Sequence, residues 1–515
     1  MTQRVVIDGY SLGLGDIEAV ALDPSIHVEM AAEARQRVSS SRDFIEAKVR
    51  AGERVYGVTT GFGRLADVAI APDERAALQH NLVRSHASGM GDPFPAEVVR
   101  AIMLLRANAL ARGVSGCRVD VIDALLGLLN AGIHPRVPEF GSVGASGDLA
   151  PLAHVALGLL GEGEAECGGR VGPAADFLRE ASLQPLRLDS KEGLALINGT
   201  QATTGLGILS LRRAERAIET AEGASAMSLE ALLGTPVAYR DEIHAARPHE
   251  GQIRSARLLR ALLNDSEIRE SHREEDPRVQ DAYSLRCVPQ VHGAARHALA
   301  YLSGILQTEA NSATDNPLVF ADPGMVVSGG NFHAQIVSQG LDLLAIALAD
   351  LAAISERRIE RLLNPDLSMG LPAFLTARAG LESGFMIAQV TAVDLLAELR
   401  LLAGPVSIDS VTTSANQEDH VSMGLAAARK AYRSVVCVER VLATELMCAA
   451  EGIEYRRPLR AGRGVEEVWE VVRARVARLT GDRMLGPDLE AVTELVSSGA
   501  ISDIVTRYEQ DQKLG

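Results

Sequence analysis

The stretch Gly141-Ser142-Val143-Gly144-Ala145-Ser146-Gly147-Asp148-Leu149-Ala150-Pro151-Leu152 joins a turn of small residues to the start of a helix. The triplet Ala145-Ser146-Gly147 carries so little side-chain bulk that the backbone can fold sharply, and Gly147 leaves its amide nitrogen unshielded. Asp148 is a favoured N-cap residue, and the apolar residues that follow predict a helix over 149–160. We interpret the rest of the chain as a pocket built around this turn.

The same triplet permits a reaction of the backbone itself. If the amide nitrogen of Gly147 attacks the carbonyl carbon of Ala145, a five-membered ring closes, and loss of water together with dehydration of Ser146 leaves an exocyclic methylidene. The product is an electrophile, for which enzymes normally recruit a cofactor. The partial positive charge at the start of the next helix favours negative charge on such a ring. The alternative is a flexible Gly/Ser loop that only caps the helix.

This twelve-residue string resembles the active-site signature of the aromatic amino acid ammonia-lyase family, including Asp148 and Pro151. Members of that family form the prosthetic group 4-methylideneimidazole-5-one (MIO) from an Ala-Ser-Gly triplet. The resemblance therefore implies that Ala145, Ser146 and Gly147 become MIO and act as catalytic residues. It implies neither a metal nor a nucleotide cofactor.

Composition excludes several function classes. The chain has 515 residues and a net charge of −16, which leaves no basic stripe for nucleic acid. The first eight residues lack the apolar core of a signal peptide, and no run of eighteen apolar residues follows, so we expect no contact with a membrane. Five scattered cysteines without a CxxC pair indicate reduced thiols and a cytoplasmic protein.

Motifs for rival chemistries do not occur in the sequence. There is no HExxH, no GxxxxGK[ST] and no GxSxG, so metal hydrolysis, nucleotide binding and α/β-hydrolase chemistry have no sequence support. A Schiff-base lysine for pyridoxal phosphate is disfavoured, because arginine carries nearly all the positive charge. The lysines are Lys48, Lys191, Lys430 and Lys513.

The second half of the chain predicts long helices. Aliphatic residues recur there at spacings of three and four, and the stretches 334–363, 385–403 and 417–452 are long enough for extended bundle helices. We therefore predict a mainly α fold with a long central antiparallel helical bundle and a loop-rich N-terminal domain that bears the MIO triplet. The predicted domains are 1–200 for the MIO-bearing part, 201–455 for the central bundle and 456–515 for peripheral C-terminal helices.

Two residues near the N-terminus gain roles from the resemblance. Tyr56 lies in the glycine-punctuated loop 55–63, whose spacing is not a dinucleotide fingerprint, and on the residues alone packing and function stay equally open. The loop resembles the family segment that delivers the catalytic tyrosine. His86, near the end of a helix predicted at 73–88, is by itself most simply a helix-terminal group. The pair Ser85-His86 resembles the family dipeptide that faces the substrate ring, in the form typical of histidine-specific members.

Asn198 and Phe332 are predicted to contact the substrate or the prosthetic ring. Asn198 ends an apolar run and needs hydrogen-bond partners if it is buried, so a purely structural role is the alternative. The string Ile197-Asn198-Gly199-Thr200 resembles the family segment whose asparagine lies beside the ring. Phe332 corresponds to an aromatic residue packed near that ring, and His333 beside it is left as a supporting group.

Gln280, Tyr283 and Arg286 are spaced to share one face if their segment is helical. An amide, a phenol and a guanidinium on one face suit a carboxylate, because arginine can donate to both of its oxygens. The alternative is a solvated polar stripe. The resemblance makes Arg286 the anchor of the substrate carboxylate, Gln280 a substrate contact and Tyr283 a catalytic neighbour of the reacting centre.

Glu418 lies in a segment that predicts the start of the last long helix, with Ser414 and Gln417 as a capping box. On the residues alone, Glu418 is only a first-turn acid. In the resemblance, a glutamate at this position is typical of histidine-specific lyases. The physics agrees, because a carboxylate beside a hydrocarbon ring would be buried without a partner, whereas an imidazole donates an N–H bond to it.

Taken together, the resemblance implies elimination of ammonia from L-histidine to give trans-urocanate. Tyr56 is expected to remove the β-proton, while His86 and Glu418 orient the imidazole. The resemblance also implies a homotetramer whose active sites combine loops from several subunits. Two alternatives stay open: an ammonia-lyase or 2,3-aminomutase that acts on tyrosine or phenylalanine, and a catalytically inactive helical scaffold.

Overall fold

The computed structural model describes residues 4–65, 67–274 and 276–514, and it confirms the mainly α fold. Four long helices are Gln201–Ala231, Val288–Ala310, Gln335–Leu363 and Gly424–Glu454. The other α-helices are Leu14–Leu22, Ala32–Arg50, Arg75–His86, Ala96–Ala111, Val119–Asn130, Leu149–Leu159, Ala174–Glu180, Glu192–Ile197, Asp241–Ala245, Glu250–Leu262, Glu267–Ser271, Tyr283–Arg286, Met386–Leu402, Arg463–Arg475, Gly486–Ser498 and Ala500–Leu514.

Short strands accompany the N-terminal helices. A parallel pair joins Arg4–Ile7 to His27–Met30, and the other pairs are antiparallel. The antiparallel sets are Met90–Pro93 with Pro138–Phe140, Ile133–Pro135 with Glu164–Cys167 and Arg170–Pro173, and Leu318–Phe320 with Met325–Val327. The pair that ends at Phe140 leads directly into the turn at Gly141.

Contacts divide the chain into two compact units, each built from three separate segments. The first unit contains 1–209, 302–342 and 405–429, and the second contains 210–301, 343–404 and 430–515. The three consecutive domains expected from the sequence do not coincide with this division, because its boundaries fall inside the long helices. The functional division at 200 and 455 therefore stays a prediction.

Buried polar contacts join the long helices of the second unit. The carboxylate of Glu445 accepts hydrogen bonds from Ser228 at 2.7 Å, from Ser355 at 2.6 Å and from the guanidinium of Arg358 at 2.5 and 2.8 Å. Glu445 and Arg358 are fully buried. Such a pair is tolerated in a core because each oxygen has donors.

The last long helix begins later than the sequence predicts. The predicted start was 417, but the helix begins at Gly424 and the capping box at Ser414 does not form. Ser414 and Ala415 have φ of +51° and +52°, which a right-handed helix cannot include. The segment forms a 3-10 turn instead, and its residues enter the site described below.

One helix in the described part of the chain, Gln335–Leu363, is long and apolar enough to cross a membrane by length and composition alone. More than half of its most apolar window, 56%, is buried inside the protein. Such burial is typical of a core helix, and we interpret it as one.

Candidate active site

A cavity of about 1060 Å³ in the first unit brings together residues that are far apart in the sequence. Several separate segments of the chain line it, including loops and parts of the helices Arg75–His86 and Glu192–Ile197. The predicted site residues in its wall are Tyr56, His86, Ala145, Ser146, Asn198, Phe332 and Glu418. Gly147, the third residue of the triplet, is buried beside Ser146.

The turn is held against the backbone of Gly199. Gly147 has φ of +79°, and a Cβ atom placed on it would lie 2.4 Å from the carbonyl oxygen of Gly199. The amide of Asp148 donates to the same oxygen at 2.6 Å. Position 147 therefore accepts only glycine, whose amide nitrogen has no side chain next to it. Ring closure requires such a nitrogen.

Asp148 precedes the helix Leu149–Leu159, whose predicted position is confirmed, but its side chain does not cap that helix. Asp148 does occupy the predicted N-cap position, but its carboxylate turns to other donors. It accepts from the hydroxyl of Ser142 at 2.7 Å, and from the amide and hydroxyl of Thr203 at 2.7 and 2.9 Å. Burial raises the pKa of Asp148, and these hydrogen bonds oppose the rise. Asp148 thereby ties the start of the turn at Ser142 to the helix Gln201–Ala231.

Asn198 holds the backbone of the triplet from one side. Its side-chain amide donates to the carbonyl oxygen of Ser146 at 2.7 Å, and the residue is 4% exposed. Its Oδ1 is buried without a hydrogen-bond partner, although buried acceptors normally have one. The carbonyl oxygen of Ser146 is the one that an MIO ring retains, and a donor already binds it. The residues therefore fit the group.

Glu418 holds the side chain of the triplet from the other side. The hydroxyl of Ser146 donates to Oε1 of Glu418 at 2.7 Å, and the hydroxyl of Thr413 donates to Oε2 at 2.7 Å. The backbones of Thr413 and Glu418 are also paired, at 2.9 and 3.3 Å. Both carboxylate oxygens are therefore fixed.

His86 presents a neutral ring to the cavity. Its Nδ1 lies 2.8 Å from the carbonyl oxygen of Leu82, which can only accept, so Nδ1 carries the proton. Burial lowers the pKa of His86, while the Leu82 hydrogen bond and the charge of Glu418 act in the opposite direction. In the neutral ring, Nε2 is then the acceptor.

Tyr56 is placed by its own loop. The amide of Gly63 donates to the phenol oxygen at 2.9 Å, and the ring of Phe62 meets the Tyr56 ring edge to face at 6.4 Å. A donor on the phenol oxygen stabilises the negative charge that appears when the phenol gives up its proton. The loop therefore suits a tyrosine that acts as a base.

Three predicted residues lie elsewhere. Gln280, Tyr283 and Arg286 belong to the second unit and are not among the residues that line this cavity. The predicted shared helical face was wrong for Gln280, because the helix contains only Tyr283–Arg286. The Arg286 guanidinium lies 4.4 Å from the centroid of the Tyr283 ring, which is 71% exposed.

Sequence reasoning missed the residues that orient the site. The contact between Thr413 and Glu418 was not predicted, because the segment was expected to be helical and no sequence pattern indicates this pairing. The rings of His333 and His420 stack at 5.8 Å with planes 5° apart, and both line the cavity. His333 Nε2 also lies 3.2 Å from the carbonyl oxygen of His420.

A family model and individual relatives place this chain in the same protein family. A family model described as aromatic amino acid lyase matches residues 12–474. Histidine ammonia-lyase from Gloeobacter violaceus is 53% identical over 505 residues, which cover 98% of each chain.

Solved structures share the fold over nearly the whole chain. The crystal structure of histidine ammonia-lyase from Trypanosoma cruzi has a TM-score of 0.92 at 44% identity and covers 98% of this chain and 96% of its own. Tyrosine aminomutase from Streptomyces globisporus has a TM-score of 0.93 at 39% identity and covers 98% of each chain. Since a lyase and an aminomutase share this fold, side chains in the cavity must decide the substrate.

Proposed function

Because this chain belongs to the aromatic amino acid lyase family, we propose that it eliminates ammonia from L-histidine and releases trans-urocanate. The observation that carries the proposal is the placement of Glu418 and His86 in the cavity that contains Ser146. Relatives named histidine ammonia-lyase, similar over nearly their full length, support the same reaction.

The two acceptors select an imidazole. Nε2 of neutral His86 and the carboxylate of Glu418 can each accept an N–H bond, and an imidazole carries one N–H donor when neutral and two when protonated. A phenyl ring provides none, so it would displace water and leave Oε1 of Glu418 without a donor, while Thr413 still binds Oε2. Substrate specificity follows from that penalty.

The chemistry at the other end of the substrate uses the remaining residues. Once formed from Ala145-Ser146-Gly147, MIO supplies the electrophile that makes the amino group a leaving group. Oδ1 of Asn198, which is buried without a partner, accepts an N–H of the amino group. Tyr56 removes the β-proton, and the Gly63 amide stabilises the phenolate. Phe332 provides an apolar wall.

A second subunit completes the site. Arg286 binds the substrate carboxylate, with Gln280 and Tyr283 beside it, and these residues come from a neighbouring copy in a homotetramer. Their absence from the lining of the described cavity and the exposure of Tyr283 support this arrangement. The helix Met386–Leu402 offers an apolar face for association, with Ile387, Val390 and Leu401 between 57% and 77% exposed. We place the enzyme in the cytoplasm, where its free cysteines stay reduced.

Separate incubation with L-histidine, L-tyrosine and L-phenylalanine tests the substrate. Release of ammonia and the absorbance of urocanate should appear with histidine alone. Turnover of tyrosine without turnover of histidine would contradict the proposal.

The fold shared with a tyrosine aminomutase supports a second candidate, an ammonia-lyase or 2,3-aminomutase acting on tyrosine or phenylalanine. The carboxylate of Glu418 weighs against phenylalanine, whose ring has no donor, whereas the phenol of tyrosine could donate an O–H bond to it, and the separate incubations decide that case. A catalytically inactive scaffold is tested by intact mass: an active chain should be lighter than its sequence by two waters, whereas a scaffold keeps its full mass.

A further inference from the structure

Thr413 binds one of the two carboxylate oxygens of Glu418. Its hydroxyl donates to Oε2 at 2.7 Å, while Oε1 accepts from the hydroxyl of Ser146, also at 2.7 Å. Both oxygens therefore have a donor before the prosthetic group forms. Conversion of Ala145-Ser146-Gly147 to MIO removes the Ser146 hydroxyl as water, so Oε1 loses its donor while Oε2 keeps Thr413.

We propose that Thr413 is a positioning residue that determines substrate specificity, because it holds Glu418 so that Oε1 is the oxygen offered to the imidazole N–H of the substrate. The inference rests on the proposed function, since it requires that Glu418 bind histidine. Thr413 is not among the described residues that line the cavity. It therefore acts through Glu418 and does not touch the substrate.

The backbone directs the two side chains to the same side. The amide of Thr413 donates to the carbonyl oxygen of Glu418 at 2.9 Å, and the amide of Glu418 donates to that of Thr413 at 3.3 Å. Residues that exchange both hydrogen bonds in an antiparallel pair project their side chains to one face, with Cβ atoms about 4.5–5.5 Å apart. The contact between the Thr413 hydroxyl and Oε2 follows from this pairing.

The turn between the two residues is short and left-handed. Ser414, Ala415 and Asn416 have φ of +51°, +52° and +66°. Thr413 itself is extended, with φ of −131° and ψ of 178°. Because threonine is branched at Cβ, its χ1 angle is restricted, and little side-chain entropy is lost when its hydroxyl binds Glu418.

The orientation of Glu418 should affect binding of the substrate more than the chemical step. Glu418 is half-buried, and with Oε2 bound by Thr413 its carboxylate cannot rotate freely. Oε1 then faces the space beside Ser146, as an acceptor for the imidazole ring. The bonds that break in the reaction lie at the α and β carbons, so a contact to the ring contributes about equally to the bound substrate and to the transition state. Loss of such a contact raises KM and leaves kcat nearly unchanged.

Steady-state kinetics of the full chain with L-histidine test the proposal. Thr413→Val keeps the shape of the side chain and removes the hydroxyl, so KM should rise about 10-fold while kcat changes less than about 2-fold. Thr413→Ser keeps the hydroxyl and should stay close to the wild-type KM. Thr412→Val is the matched control, because the neighbouring hydroxyl binds Asn416 at 2.8 Å and does not contact Glu418. That variant should keep the wild-type KM, and intact mass should show the loss of two waters in every variant.

A double-mutant cycle shows whether the effect passes through Glu418. In a Glu418→Ala background no carboxylate remains for Thr413 to hold, so adding Thr413→Val should change kcat/KM less than about 2-fold. A further loss as large as the one in the wild-type background would overturn the proposal, since the hydroxyl would then act independently of Glu418.

The remaining outcomes also decide the question. A wild-type KM in Thr413→Val, a rise in KM of equal size in Thr413→Ser or Thr412→Val, or a fall in kcat at unchanged KM would overturn the proposal. Incomplete loss of water in a folded Thr413→Val would overturn it as well, since the hydroxyl would then serve ring formation. If Thr413→Val does not fold, Thr413→Ala is measured in its place with the same expected rise in KM. A wild-type chain that releases no ammonia from histidine would instead refute the proposed function and this inference with it.

Discussion

The backbone of Gly199 occupies the space that a side chain on Gly147 would need. An added Cβ atom would lie 2.4 Å from the oxygen, and 2.6 Å from the carbon and the nitrogen, of Gly199. The neighbouring atoms are backbone and cannot swing aside. The turn is therefore built for a bare amide at this position, which is the nucleophile that ring closure requires.

We expect Gly147→Ala to keep its full mass and to unfold at a lower temperature. The left-handed φ alone costs about 1–3 kcal/mol for a residue with a Cβ, and the clash must then move the turn. Gly168→Ala is the control, because Gly168 has φ of +57° with no atom within 4 Å of an added Cβ. That variant should lose only the stability that the left-handed φ costs a residue with a Cβ, and it should still lose two waters. Normal dehydration in Gly147→Ala would refute the requirement for glycine at this position.

Protonation of His86 should cause part of the fall in enzyme activity at acid pH. Burial lowers its pKa below the ordinary 6.5, so the ring is neutral near pH 7 and gains a proton only as the pH falls through the lowered value. Protonation removes the acceptor Nε2, and activity should fall with it. His86→Gln keeps an acceptor that does not titrate.

The ratio of kcat/KM between wild type and His86→Gln isolates this effect, because the titration of histidine as substrate cancels. The ratio should be constant above pH 6.5 and should fall at lower pH. A ratio that stays constant throughout the acid range would show that His86 does not titrate in the free enzyme.

Subunits with different defects should complement each other. Ser146→Ala cannot form the ring, and Arg286→Gln should lose about 2–5 kcal/mol of carboxylate binding, so each variant alone is inactive or nearly so. If each site takes its ring and its arginine from different copies, co-expression with two affinity tags should give mixed oligomers with restored activity. The double variant co-expressed with Arg286→Gln is the control, because no chain then supplies Arg286. Activity no higher than the sum of the separate variants would place both residues on one chain.

The sequence predicted those parts of the site that depend on local chemistry. The Ala145-Ser146-Gly147 turn, the helix after it and the mainly α fold follow from residue size, a helix start and hydrophobic spacing. The resemblance then placed Tyr56 and Glu418, which the structure brings into one cavity.

The remaining features depend on distant contacts. The side chain of Asp148 was expected to cap its helix, but its carboxylate accepts from Thr203 and Ser142 instead. The contact of Thr413 with Glu418 could not be predicted, because it depends on the left-handed turn at Ser414 that forms in place of the predicted helix. Local propensity cannot reveal such pairings, because they depend on which segments meet after folding.

Lys191 should be structural, not a site for Schiff-base chemistry. It is completely buried, and its ammonium donates to the buried carboxylate of Asp315 at 2.9 Å. Removal of one partner leaves an unpaired buried charge, so Lys191→Met should lower the free energy of unfolding by about 3–5 kcal/mol. Lys48 makes a hydrogen bond of the same length, 2.9 Å, to Glu53, but both side chains are partly exposed. Lys48→Met should therefore cost about 0–1 kcal/mol. Denaturant titration of both variants measures the difference, and equal costs would mean that burial does not set the strength of the Lys191 pair.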